Sequence, residues 1–338
     1  MKSATRSFFF ACLLLSATAQ AETVTLKIAH FLPANSNAHA NVIEPWCQHL
    51  SEESEGRIQC QLYPSMQLGG TPATLADMAR NGVADIVWTA PGYSPGKFPR
   101  VEALELPFLL PYGGQAGNEV IWNYYERFAK QDFAAFKVLA LFGDGGMDVH
   151  TRDKPVKTLE DFRGLKLRAS SRTIAKTIEA LGATPVSMPP AQMTEAISKG
   201  VVDGAMAAWE VVPPTKLNEV THFHSDQAGQ PAFGYTVLTM LMNKRKYDAM
   251  PADLKAILDR NSGAALVERF SKAWDKYIAD ARAASPEASI TVIEPQAYQA
   301  IEAAAQQVSE QWIAEMDGRG IDGKALVEGV RQLSSVGR

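Results

Sequence analysis

Cysteine is scarce in this 338-residue chain: Cys12, Cys47 and Cys60 are all there is. No cysteine motif surrounds any of them, so none is read as catalytic. An excess of positive charge is also missing. With 33 Lys and Arg against 37 Asp and Glu, the net charge is −4, which argues against nucleic acid as a partner, because a phosphate backbone demands a basic footprint. No stretch after the N-terminus reaches 18 apolar residues, so no membrane-spanning helix is expected. There is no His-Glu-x-x-His and no phosphate-binding Gly-rich loop.

What is there begins with a leader. "MKSATRSFFFACLLLSATAQA" carries Lys2 and Arg6, an apolar run from Phe8 to Leu15, and Ala19-Gln20-Ala21 as a small-x-small cleavage site. This is the pattern of a secretory signal peptide, cleaved near Ala21. Loss of Lys2 and Arg6 takes the net charge from −4 to −6. Cys47 and Cys60 remain. In an oxidising compartment they either pair or stay as two buried thiols.

Hydrophobic residues make up 46% of the chain, enough for sizeable cores, and the length allows about two domains. "TVTLKIAHFLP" alternates as a strand and runs into a loop. A helix is expected over about 37–54, a strand at "GRIQCQLYP", a helix at "TPATLADMARNG", and a short buried strand at "VADIVWTA". The pattern recurs in "GLKLRAS", "SSRTIAKTIEALG", "ATPVSMP", "PAQMTEAISKG" and "VVDGAMAAW". Gly82-Val83-x-Asp85 and Gly200-Val201-x-Asp203 each join a helix to a short strand, which suggests two similar α/β lobes. "FGYTVLTMLMN" is a further strand. From Pro251 to about Ala284 the periodicity is helical and long enough to span more than one lobe. A last helix runs from Pro295 towards Met316, and the Gly-rich tail is read as loosely held.

Arg168 ends a core strand just before a serine-rich turn that opens a helix. In open α/β sheets ligands bind beyond the carboxyl ends of strands, helix N-termini favour anions, and a guanidinium grips a carboxylate bidentately. Asp144 and Asp148, in "FGDGGMDVH", are either an acid pair or the residues of a Gly-Asp turn. His222 and His224 supply two possible metal ligands and no third, so no metal is expected.

"YPSMQLGG", "LELPFLL", "KPVKTLEDFRGLKLRAS", "ALGATPVSM" and "AISKGVVDGAM" together resemble the solute-binding proteins of TRAP transporters, the tripartite ATP-independent periplasmic systems of C4-dicarboxylate-binding type. The resemblance covers nearly all of the chain after the leader. It implies an α/β protein of two lobes, each a mixed sheet flanked by helices, with a long helix spanning both. The lobes are drawn at 22–145 with 231–265, and at 146–230 with 266–338. It implies a periplasmic protein that closes on a small carboxylate and delivers it to TRAP membrane permease subunits; a monomer is the default expectation and no cofactor is expected. Arg168 matches the arginine that holds the ligand carboxylate. Where sugar-acid-binding relatives place Gln-Glu-Asn, this chain has Ala205, Met206 and Ala207. Phe31, Trp88, Met147, Trp209 and Phe233 fall at or near further cleft positions. The expected ligand is therefore an aromatic or branched apolar monocarboxylate or 2-oxo acid. The alternatives are a sugar acid or C4 dicarboxylate on the same fold, a ligand sensor for a membrane kinase, or a secreted enzyme using Asp144, Asp148 and His150.

Overall fold

A computed structural model describes residues 22–227 and 230–336; the leader lies outside them. Strand β1 (Val24–His30) buries Leu26 and Ile28 completely. A helical segment follows, with π geometry over Ala38–Ile43 and then α1 (Glu44–Glu53). β2 (Ile58–Tyr63) pairs parallel with β1. Cys47 on α1 and Cys60 on β2 are joined in a disulfide with their Cα atoms 5.9 Å apart, which decides between the two readings of these cysteines. A Thr71–Thr74 capping box opens the turn into α2 (Leu75–Asn81), which leads to β3 (Ile86–Thr89).

Next come α3 (Gly114–Tyr124), β4 (Phe136–Gly143) and β5 (Asp148–Thr151). β6 (Lys166–Ala169), α4 (Arg172–Ala180), β7 (Thr184–Ser187), α5 (Met193–Ser198), β8 (Gly204–Ala207) and β9 (Phe223–Asp226) build most of the second half. β10 (Val237–Asn243) returns to the first sheet, followed by α6 (Lys244–Ala249), α7 (Ala252–Arg260) and α8 (Ala264–Ala283). β11 (Ile290–Val292), α9 (Pro295–Gly318) and α10 (Gly323–Val336) complete the chain.

The strands form two mixed sheets, ordered β2-β1-β3-β10-β4 and β11-β9-β5-β8-β6-β7. In each, three parallel strands are bordered by an antiparallel one: β10 against β3, and β5 against β8. The Gly-Val-x-Asp repeat performs one task twice. Gly82 and Gly200 adopt left-handed backbone. Asp85 Oδ2 then accepts the Lys27 N–H at 2.8 Å, and Asp203 Oδ2 accepts the Lys166 N–H at 2.8 Å. Each aspartate thus ties the start of its own strand to the neighbouring parallel strand, at the middle of β1 and at the first residue of β6.

Two expectations are corrected. The helical run from Pro251 is broken at Asn261–Gly263. Gly263 takes a φ of +64° and its N–H bonds the Leu139 carbonyl at 2.7 Å, so α8 starts afresh on β4. At 1.5 Å per residue its 20 residues reach about 30 Å. It runs from Leu266 and Phe270, in the core of the first sheet, to Arg282, which pairs with Asp226 at the end of β9. The tail is also ordered: α10 buries Leu326, Val327 and Val330 and packs on α3 and α9. Residues 323–336, grouped with the second lobe on sequence, lie against helices of both groupings, α3 and α9. A second core of Val149, Phe162, Leu167, Ile174, Phe233 and Tyr298 fills the space under the second sheet. Among the described residues no helix is long and apolar enough to cross a membrane.

Candidate ligand-binding site

The parallel strands of both sheets point their carboxyl ends at one another, and the loops beyond them meet in a narrow slot. Phe31 and Leu32 follow β1. Trp88 is on β3, with Tyr93 just beyond it. Arg168 is on β6. Ala207, Ala208, Glu210 and Val211 end or follow β8. Pro190 and the crossing-segment residues Asp144 and Thr236, with Leu238 on β10, close the rest, leaving a cavity of only about 20 Å³. One wall is aromatic. The Phe31 and Trp88 rings stack at 4.9 Å with 17° between their planes, and Tyr93 meets Phe31 edge-on at 5.3 Å. The facing wall of Pro190, Ala207, Ala208 and Val211 is small and apolar.

Arg168 is 2% exposed. Its Nε donates to the Met188 carbonyl at 3.0 Å and its Nη1 to the Met206 carbonyl at 3.5 Å, while the buried Nη2 has no partner. Burial lowers its pKa, opposed by Tyr93 and Asp144. A buried guanidinium nitrogen facing an apolar slot is costly unless an anion meets it. Ser171 caps α4, its hydroxyl accepting the Ile174 N–H at 3.4 Å, so the helix N-terminus opens beside the arginine.

Of the seven residues expected to line the cleft, Arg168, Phe31, Trp88 and Ala207 are brought together in the slot. The other three are placed behind it. The Trp209 ring packs on His150 at 5.1 Å and His224 at 4.8 Å, under the Arg282 guanidinium. Phe233 lies in the second core against Phe108 and Tyr298. Met147 is fully buried there, on a crossing segment bonded to Gly234. Sequence reasoning passed over Tyr93 and Glu210. The signal for Glu210 was a lone acid inside the apolar run "AMAAWEVV".

The acid and base of the enzyme alternative are not assembled. Among Asp144, Asp148 and His150, only Asp144 lines the slot. Its carboxylate is engaged by the N–H groups of Gly146 and Thr236, which tie the two crossing segments together. Asp148 accepts from Tyr112, and His150 Nδ1 lies 2.8 Å from His224 Nδ1. Burial holds His150 far below its usual pKa and brings His224 to about 4. Gly92-Tyr93-Ser94-Pro95-Gly96 has the spacing of a nucleophile elbow, yet the Ser94 hydroxyl is given to the Ala73 carbonyl at 2.9 Å. No group of three or more metal-ligand side chains occurs among the described residues.

Contacts across the slot hold the lobes together. Arg172 at the start of α4 bonds Glu102 across the slot at 2.8 Å while Glu315 of its own lobe holds it at 2.7 Å, and the Thr236 hydroxyl lies 3.2 Å from that of Ser170. Glu105 accepts the Val237 N–H at 3.1 Å and is 1% exposed. Burial pushes its carboxyl up to about 8, against the hydrogen bonds from Ser171 and Val237. A folded-state pKa above the unfolded value means that the native state keeps a proton the unfolded chain has released. This stabilisation is complete below about 4.5 and lost as pH rises through about 8. Relative to Glu105→Gln, the melting temperature of the wild type should therefore fall as pH rises from about 5 to 8.5. Calorimetry at constant ionic strength checks this; parallel slopes for the two proteins would contradict it.

Residues 28–315 match the DctP family of bacterial extracellular solute-binding proteins, family 7. The chain belongs to that family. A TRAP solute-binding protein from Rhodoferax ferrireducens T118, solved with copurified benzoate, is 40% identical. It superposes with a TM-score of 0.89 over 93% of this chain and 98% of its own. A marine metagenome TRAP solute-binding protein from an unidentified microbe, specific for aromatic acid ligands and solved with 3-hydroxybenzoate, is 38% identical. Its TM-score is 0.89 over 93% of this chain and 99% of its own. The C4-dicarboxylate-binding periplasmic protein of Rhodobacter capsulatus is 26% identical over 251 residues, 73% of each chain. This family-7 protein is thus the solute-binding subunit of a TRAP system, an extracytoplasmic protein that captures a small organic acid for uptake.

Proposed function

We propose that this family-7 protein binds an aromatic monocarboxylate in the periplasm and passes it to the TRAP membrane permease. The observation that carries the reading is the unpartnered Nη2 of buried Arg168 in a slot walled by the Phe31–Trp88 stack. Nη2, the guanidinium nitrogen without a partner, meets the carboxylate in a charge-assisted hydrogen bond. The ring lies against the aromatic wall, where burial is worth roughly 25 cal/mol per Å² of apolar surface and offset stacking adds to it. Pro190, Ala207, Ala208, Val211 and Leu238 offer no side-chain hydrogen bonds, which disfavours a sugar acid. A C4 dicarboxylate asks for a second cation, and Arg168 is the one cationic side chain among the described slot residues. The two relatives at 38–40% identity that were solved with benzoate and 3-hydroxybenzoate support the same class. The protein acts as a monomer after cleavage near Ala21, by binding and lobe closure rather than by chemistry.

The test is calorimetric titration of the mature protein with benzoate, glucuronate and succinate. Benzoate is expected to bind stoichiometrically and unchanged, and to raise the melting temperature. Binding of glucuronate or succinate alone would replace the aromatic reading with one of the polar alternatives.

A further inference from the structure

Three buried carboxylates leave one oxygen without a hydrogen bond: Glu105, Asp148 and Glu210. Glu105 and Asp148 each have a hydroxyl partner, from Ser171 and Tyr112, and neither lines the slot. Glu210 does line it, is 3% exposed, and its Oε2 is unpartnered. It stands on the loop after β8, whereas Arg168 stands on β6. The charge that acts on Glu210 is Asp144, while Arg168 is acted on by Tyr93 and Asp144. The slot residues therefore carry three buried polar atoms without a partner, the Arg168 Nη2 and Trp88 Nε1 donors and the Glu210 Oε2 acceptor, and Asp144 acts on both Arg168 and Glu210.

Resting on the aromatic-acid reading, we infer that Glu210 forms a second subsite that accepts a hydrogen bond from a hydroxyl on the ligand's ring. The ligand class narrows from aromatic acids in general to hydroxylated ones, carboxylate on Arg168 and ring hydroxyl on Glu210 Oε2. Burial drives the Glu210 carboxyl well above its ordinary pKa, with Asp144 adding to it. Ionised or neutral, the carboxyl keeps an oxygen that can accept. A neutral hydroxyl suits it better than a second anion, which would meet both Asp144 and Glu210. A ring bearing no donor leaves Oε2 buried and unpaired, and that loss discriminates between otherwise similar acids.

The experiment is a set of titrations of the mature protein with benzoate, the 2-, 3- and 4-hydroxybenzoates and the matching methoxybenzoates. One hydroxy isomer should bind about tenfold more tightly than benzoate, as expected for one good hydrogen bond in a buried site. Its methoxy counterpart, which cannot donate, should bind more weakly than benzoate. In Glu210→Met the ratio of the benzoate Kd to that of the preferred isomer should fall to near one. Glu210→Leu serves as a second variant should the first fold poorly, with melting curves as the control for folding. If benzoate binds but no hydroxy isomer gains, or if the ratio survives in a folded variant, the subsite is wrong and the aromatic reading stands. If no aromatic acid binds the wild type, that reading has failed and the subsite falls with it.

Discussion

Arg168→Ala weakens benzoate binding by at least about 30-fold, and by up to several thousand-fold if closure excludes water from the pair. The range follows from the 2–5 kcal/mol lost when one partner of a buried, hydrogen-bonded charge pair is removed. Two properties place this substitution at the high end. The guanidinium is almost wholly buried, so salt and water screen it little. Two of its nitrogens are already held by the Met188 and Met206 carbonyls, leaving Nη2 for the ligand. Lysine is no substitute, since a point charge cannot hold the two carbonyls and the ligand together. Titration calorimetry reads the change directly, and melting curves separate it from unfolding. Affinity within about threefold of wild type in a folded variant would make Arg168 a structural arginine.

The second large effect is on stability. Trp88→Ala should cost about 3–5 kcal/mol, the usual loss for a large aromatic in a packed core. Trp88 is fully buried and touches three rings, Phe31 face on and His30 and Trp274 edge on, with Phe31 in turn against Tyr93. Trp274 belongs to α8, so the cavity would loosen the spanning helix as well as the slot wall. Trp88→Phe keeps a ring in place and should lose distinctly less. Urea denaturation measures both; a loss under about 1 kcal/mol for the alanine variant would mean the site collapses around the gap. Aromatic-acid binding should weaken alongside, because Phe31 loses the surface that fixes its plane.

Much of this arrangement was legible in the sequence for identifiable reasons. β1, β3, β6 and β8 are central strands, and their alternating or continuous apolar runs are strong signals. Placing Arg168 needed only the end of one such strand and the Ser170-Ser171 turn after it. Asn261-Ser262-Gly263 was a turn signal hidden by apolar periodicity that resumes in α8. Gly318, Gly320 and Gly323 made the tail look loose, although Leu326, Val327 and Val330 keep helical spacing and find α3 to pack on. The aromatics were harder. A tryptophan reads alike whether it faces a core or a cleft. Trp88 and Trp209 follow similar helix–strand repeats, yet one borders the slot and the other is turned onto the His150–His224 pair. Only the packing of α8 and β9 separates them, and those are contacts between segments far apart in the chain.

The two carbonyls that fix the Arg168 side chain come from Met188, beyond β7, and Met206, on β8. They hold it in its working rotamer before any acid enters. An arginine side chain carries about 2 kcal/mol of rotamer entropy, and here the fold rather than the ligand has already removed it. Preorganisation of this kind shifts selectivity into residence time. Different acids should arrive at similar rates, set by diffusion and the motion of the lobes, and differ chiefly in how long each stays before the protein opens again.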